Sequence, residues 1–454
     1  MFDRKRPSSA KAALKTILAL WALFIALPFN LALVGTALVY GLVAERFDAS
    51  ERRRTARERK TVLVSGGKMT KALQLARSFH QAGHRVILVE SNKYWFTGHR
   101  FSRAVSRFYT VPKPDSPTYP NALLEIVKRE RVDLYVPVSS PVSSLYDSQA
   151  MPLLSPHCDV MHVGPSQIEL LDDKLQFSQI AETLGLAVPK SFLITDPEEV
   201  VHFDFSRERR SYIIKSIAYD SIRRLDLTRL PARTSEETAA FARSLPISKS
   251  NPWIMQEFIP GQEYCTHGTL RDGELRVHCC CESSAFQINY DNVDKPEIEA
   301  WIKTFGAGLG ITGQASFDFI EADDDGTVYA IECNPRTHSA ITMFYGDPRI
   351  AAAYLDTAAS DAPIRPLTGS RPTYWIYHEI WRLLTQVRSG RIVIDRLRTI
   401  ARGRDAVFDW RDPLPFLMLH HVHVPLLLAR DLFERRGWVR IDFNIGKLVQ
   451  LGGD

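Results

Sequence analysis

Residues Thr16 to Ala44 carry no charged side chain, an apolar run of 29 positions between Lys15 and Glu45. About 20 apolar residues are enough to cross a bilayer. A helix that is apolar all round has to be covered by protein or by lipid, so this run constrains everything after it. It outlasts the ~7–15-residue apolar core of a secretory signal. Pro28-Phe29-Asn30 divides it, which leaves two forms: one spanning helix, or a re-entrant hairpin with both ends on one side. Both flanks are basic, with seven Lys or Arg between Arg46 and Lys60. That bias predicts a membrane anchor for a body in the cytoplasm.

The first 60 residues hold 12 Lys and Arg against 5 Asp and Glu, whereas the whole chain of 454 has a formal charge of +5. The remaining body therefore has a slight negative balance, which excludes an electrostatic nucleic-acid surface. The six cysteines, three of them consecutive at Cys279 to Cys281, form no CxxC pair. They suit neither a disulfide framework nor a zinc site, and they read as small residues within a strand. His420, His421 and His423 have no carboxylate at ligand spacing and are not read as a metal site.

From Thr61 the chain reads as strand, helix and strand: TVLVSGG, then MTKALQLARSFHQAG, then HRVILVES. A further helix and strand follow in NALLEIVKRERV and DLYVPVSS, which predicts a doubly wound parallel sheet to about residue 165. Ser65-Gly66-Gly67-Lys68-Met69-Thr70 matches neither GxxxxGK[ST] nor GxGxxG, and reads as a strand-to-helix turn. The middle of the chain alternates strands with charged helices, an α+β pattern, and Asp323-Asp324-Asp325-Gly326 reads as a hairpin turn. The expected division is an anchor over 1–60, a Rossmann-like domain over 61–165, an α+β domain over 166–365 and a C-terminal extension over 366–454. The run Leu414 to Leu428, broken by two prolines, reads as a core or interfacial segment.

The chemistry concentrates after that hairpin turn. Asp318 lies in the strand SFDFI, and the returning strand AIECNPR puts Glu332 and Asn334 on one face, because strand side chains repeat every two residues. Three oxygen groups are expected to converge there, as Mg²⁺ requires when phosphates complete its shell. Arg336, two residues on, could clamp phosphoryl oxygens. Lys174 follows IELLDD, and Lys215 ends the apolar strand YII, where it would point into a cleft as a compact charge. Gln256, in IMQEFIPGQE, and the nearby backbone could bond an adenine edge, and Glu263 a ribose.

Lysine, lysine, QExIxGxE and D…ExNPR, in that order, resemble the ATP-grasp superfamily, in which ATP lies between two α+β lobes. The resemblance implies a Rossmann-like domain before a two-lobed ATP-grasp domain, with ATP and Mg²⁺, or Mn²⁺ in its place, as cofactors. It implies that Lys174 and Lys215 contact ATP phosphates and that Gln256, Glu257 and Ile259 hold the adenine, with Glu263 on the ribose. Asp318, Glu332 and Asn334 would bind the metal, and Arg336 would stabilise a phosphorylated intermediate. The chain departs from many members in having no glycine from Ser216 to Arg224, which leaves phosphate covering to Arg223 and Arg224.

A narrower resemblance rests on VLVSGGKMTKALQLAR, KYWFTGHRFS, YVPVSSPVSSLYDS, LDDKLQF, KSIAYDSIRR, ECNPRTHSAI and IDFNIGKLV. These stretches are similar to the ATP-grasp ligases of mycosporine biosynthesis, which join glycine to 4-deoxygadusol. That resemblance implies those two small molecules as partners, with Thr337, His338, Ser339, Ser139 and Ser140 as contacts beside Arg336. The rivals are a carboxylate-amine ligase acting through an acyl phosphate, a membrane-anchored nucleotide-binding scaffold without turnover, and a kinase that phosphorylates without ligation.

Overall fold

The structure, a computed structural model, describes residues 9–55, 59–138, 140–217, 226–283, 289–358, 362–385 and 390–450. It opens with a helix, α1 (Ser9–Thr55), that continues without a break through Pro28. The hairpin alternative is thereby corrected: no turn forms at Pro28-Phe29-Asn30. A helix absorbs one proline when neighbouring groups take up the freed carbonyl, and the apolar residues on both sides favour continuation.

The next layer is a parallel sheet of β1 (Thr61–Val64), β2 (Arg85–Ser91), β3 (Arg107–Val111), β4 (Leu134–Val136) and β5 (Asp159–Val160), in the order β3-β2-β1-β4-β5. Helices α2 (Thr70–Gln81), α3 (Tyr119–Glu130) and α4 (Pro141–Leu154) connect these strands. The inner strands β1, β2 and β4 are largely apolar runs because both faces are covered. The expected doubly wound opening is what forms. Gly66 sits in the turn after β1 at φ +67°, and a Cβ there would lie 2.0 Å from the Val138 carbonyl oxygen. Only glycine fits.

Helices α5 (Pro165–Asp172) and α6 (Lys174–Thr183) lead into a small lobe. Its sheet joins β6 (Ser191–Ile194), β7 (Tyr212–Ser216) and β8 (Trp253–Glu257) in the order β6-β8-β7, covered by α7 (Pro197–Val201) and α8 (Ser235–Ser244). This lobe has its own core around Tyr212, Trp253 and Met255. The next sheet contains β9 (Gly261–Arg271) and β10 (Glu274–Glu282), followed in the chain by the short β11 (Asn289–Tyr290) and α9 (Pro296–Leu309), then β12 (Gly313–Ala322) and β13 (Val328–Asn334). Its order is β10-β9-β12-β13, all antiparallel. Aromatic packing of Phe177, Trp301, Phe305 and Phe317 fills the space between that sheet and α6 and α9. Cys279 to Cys281 lie buried in β10 with free thiols, as the sequence suggested.

The C-terminal part contributes α10 (Arg349–Leu355), α11 (Ile376–Thr385), α12 (Gly390–Arg402), α13 (Leu414–Met418) and α14 (Val424–Phe433), with one π-helical stretch, Leu419–His423, between the last two. Phe416, Leu419, Val424 and Leu428 from the 414–428 run are buried in the main core. This run and the residues flanking it pack along α1: Trp410 touches Tyr40 edge-on, His421 Nε2 lies 2.7 Å from Asn30 Nδ2, and the Val439 carbonyl accepts from Lys15 Nζ at 2.7 Å.

Candidate functional site

The β12–β13 hairpin sets Asp318 directly opposite Glu332, because the Asp-rich turn fixes the register and Gly326 takes a positive φ of 68° in it. A bulge follows Asp318, the kind of irregularity that re-aims a side chain. Asn334 Nδ2 lies 3.3 Å from both Asp318 Oδ2 and Glu332 Oε1. The Asn334 Oδ1 accepts from Arg336 Nη2. Two carboxylates therefore converge as expected, but the carboxamide turns its nitrogen to them and its oxygen to Arg336. As a third oxygen ligand Asn334 would have to rotate about its last side-chain bond.

Burial, with Glu332 beside it, pushes the Asp318 carboxyl well above the usual carboxylate range. Burial also works against ionised Glu332, but Lys174 and the hydrogen bond to Asp318 outweigh it and bring that carboxyl down to about 2. The two carboxyls are therefore pushed apart, Asp318 upward and Glu332 downward. No group of three His, Cys, Asp or Glu able to hold a metal occurs among the described residues. Two facing carboxylates fit Mg²⁺ all the same, since that ion takes few protein ligands and completes its shell with phosphate and water.

Lys174 reaches the Glu332 carboxylate, and Lys215 bonds Gln256 on the neighbouring strand. Lys174 opens α6 after Asp173, whose side chain accepts from the amides of Leu175 and Gln176 at 2.9 Å. A cation at a helix N-terminus opposes the dipole, and the 3.3 Å contact of Lys174 Nζ with Glu332 Oε2 offsets it. Lys215 is the penultimate residue of β7, and its Nζ donates to Gln256 Oε1 at 3.2 Å. Burial holds it below the usual ammonium range, while Glu332, Glu263 and Asp318 pull it back up. Gln256 is buried, and its amide donates to Ser191 Oγ at 3.4 Å. Glu257 lies beside Arg210 at 3.6 Å, and its backbone N–H donates to the Lys190 carbonyl. Ile259 is buried at the connector into β9, and Glu263 lies partly exposed on β9 opposite Ile320.

Arg336 faces Asp172, 3.6 Å away, and follows Pro335, whose carbonyl accepts from Ser144 Oγ at 2.9 Å. His338 caps the 3-10 turn that follows: its Nδ1 accepts from the Ala340 amide at 3.3 Å, and burial takes its pKa down to about 3. Ser140 caps α4. Ser139, Arg223 and Arg224 lie outside the described residues. Sequence reading missed Lys71. It is buried on α2, donates to the Thr337 carbonyl at 2.6 Å, and is held down to about 7 by burial, Arg336 and Lys68. Its position in the chain gave no signal, since a lysine in a helix is usually solvated. Near it, Ser65, Lys68, Glu90 and Asp147 line a cleft at the C-terminal ends of β1, β2 and β4, where parallel sheets bind ligands.

A parallel α/β sheet followed by two antiparallel sheets, facing each other across lysines and carboxylates, is the ATP-grasp fold. Biotin carboxylase from Campylobacter jejuni, solved with a β,γ-ATP ligand, shares it at a TM-score of 0.52 and 15% identity over 67% of this chain and 72% of that one. The biotin carboxylase domain of Hydrogenobacter thermophilus 2-oxoglutarate carboxylase, which holds MgADP and bicarbonate, gives 0.51 and 14% over 68% and 72%. N5-carboxyaminoimidazole synthetase from Staphylococcus aureus gives 0.51 and 14% over 70% and 82%. By sequence, the C-terminal section of the carbamoyl phosphate synthase large chain of Methanopyrus kandleri is 24% identical over 230 residues, 46% of this chain. The chain spans 41% of the length of that relative. No family model matches the chain.

Proposed function

We propose that this chain is an ATP-dependent carbon–nitrogen ligase for a small acid and an amine. The observation that carries the reading is the contact of Lys174 with Glu332, which lies opposite Asp318, with Lys215 held on Gln256 of the neighbouring strand. Lys174 and Lys215 bind ATP phosphates, Gln256, Glu257 and Ile259 border the adenine, and Glu263 accepts from the ribose. Asp318 and Glu332, with Asn334 after rotation, hold the divalent cation. Bound there, Mg²⁺ would neutralise phosphate oxygens and orient the γ-phosphoryl group. Arg336 steadies the oxygens of the transferred group, and Lys71 and Lys68 draw the acid toward it.

In the reaction an oxygen of the acid attacks the γ-phosphorus and ADP leaves. The amine nitrogen then bonds to the activated carbon, and phosphate departs with the oxygen. Phosphoryl transfer asks mainly for position and charge, which is what these residues supply. The motif resemblance makes 4-deoxygadusol and glycine the proposed substrate pair, with residues 61–165, 166–365 and 366–454 as successive parts of one body on the cytoplasmic face of a membrane.

The test is ADP release by the purified protein with Mg·ATP and 4-deoxygadusol, with and without glycine, together with product mass. Glycine-dependent ADP and a product of mycosporine-glycine mass are expected. Turnover only with carboxylic acids would replace the enol by an acyl phosphate route. A folded protein that binds ATP and turns over with no acid and amine pair would leave a scaffold.

A further inference from the structure

Helix α1 does not leave the body. Thr16, Leu23, Val34 and Ala37 are buried on one stripe. On that stripe Asn30 Nδ2 donates to Tyr377 Oη at 2.6 Å, and Lys15 Nζ donates to the carbonyls of Trp438 and Val439. Gly41 comes within 3.7 Å of Trp410 through the position of its absent Cβ. From Lys15 to Gly41 the helix is therefore docked over about 39 Å at ~1.5 Å per residue. The segment it lies against carries Arg411, Arg430, Asp431 and Arg436, which do not enter hydrocarbon cheaply. A helix docked over that length cannot also have its full ~30 Å hydrocarbon thickness wrapped by lipid.

The opposite stripe is exposed and apolar: Trp21 at 58%, Ile25 at 65% and Phe29 at 74%. Tyr377, bonded to Asn30 on the docked stripe, stands in the first turn of α11, where Trp381 and Leu384 are exposed, and α12 exposes Ile394 and Leu397. Between Ile376 and Arg402 there are six arginines against Glu379 and Asp395. Exposed apolar residues with tryptophan, on two helices whose sequence carries a cationic excess, suit a headgroup layer.

We infer that this protein is monotopic: α1 lies in the plane of one anionic leaflet with its outer stripe in the acyl boundary, and α11 and α12 dock beside it as a second lipid-binding element. The occupant is a phospholipid surface because the excess charge beside the apolar stripe is positive.

The test uses the full chain in vesicles of phosphatidylcholine with and without phosphatidylglycerol. All six native cysteines are buried, so single surface cysteines can be labelled selectively. Lys11→Cys and Arg59→Cys flank the apolar run, Asp115→Cys marks the body, and Leu384→Cys and Leu397→Cys carry an environment-sensitive dye. An impermeant maleimide should reach positions 11, 59 and 115 from the same side, and the dye at 384 and 397 should shift to the blue and be quenched by shallow doxyl lipids, more so with phosphatidylglycerol. Reaction of position 11 only from the side opposite 115 would make α1 a spanning helix and overturn the inference. So would a dye that stays aqueous at 384 and 397 in vesicle-bound protein, or one shielded in a lipid-free dimer and unchanged by lipid, which would give the face to a second copy.

Discussion

Asp318 is the side chain on which the proposed chemistry most depends. It is half-buried opposite Glu332, and burial together with that carboxylate raises its pKa, so a bound cation would favour its ionised form. Asp318→Asn keeps the volume and removes that capacity. Turnover should fall on the order of 10²-fold or more, while binding of metal-free ATP, read by calorimetry, should persist. Lys71 gives a second, independent prediction. Between its folded value of about 7 and the ordinary 10.5, the unfolded chain holds a proton that the native chain lacks, so this residue makes stability rise with pH across that window. Below about pH 7 its effect is constant. Lys71→Met should flatten the slope by about 1.4 kcal/mol per pH unit, visible in urea midpoints at two alkaline pH values. Asp318, Glu332 and Asn334 were legible in the sequence because a short turn and a period of two leave little freedom in a hairpin. Which atom of Asn334 faces the carboxylates was not, since it depends on Arg336, and Lys71 was hidden because its burial comes from contact with Thr337, 266 positions away.

Among the elements, α2 ties the parallel sheet to the C-terminal segment. Arg77 Nε donates to Asp412 Oδ2 at 2.8 Å, and its Nη2 reaches the carbonyls of Val407 and Asp412 at 2.9 Å, all of it buried. Ser102 Oγ also donates to Asp412. Arg77→Met leaves that carboxylate buried without its cation, a loss of about 3–5 kcal/mol. The midpoint of thermal unfolding should drop, and proteolysis should cut first between residues 404 and 414. The strand-helix-strand opening was readable from β1 to β4 because apolar runs, Gly83 and the Pro at the start of α3 punctuate it. The docking of the C-terminal helices on α1 was not, because packing between segments some 400 residues apart leaves no local period. The same blindness made the proline in α1 look like a corner.

Across the molecule, neutral imidazoles are built into the interior. Burial takes His99, His338, His420 and His423 down to about 3. Unfolded histidine binds its proton near 6.5, so from there down to about pH 3 the unfolded state holds more protons and native stability falls as pH falls. Each such group adds a slope of about 1.4 kcal/mol per pH unit. Urea midpoints should therefore decline steeply between pH 7 and pH 5, and much less between pH 8 and pH 7. The small lobe answers to a different variable. Its own core is separate, and its strand β7 follows Arg209 and Arg210, which grip Asp324 at 2.7 and 2.6 Å and approach Asp325 across the gap to the β12–β13 turn. These contacts are largely open to solvent on the acidic side, so dissolved salt weakens them. Nucleotide affinity should then fall with added potassium chloride in the native chain and lose part of that dependence in Asp324→Asn, which makes the acidic turn a latch whose tension is set by the ionic strength of the cell.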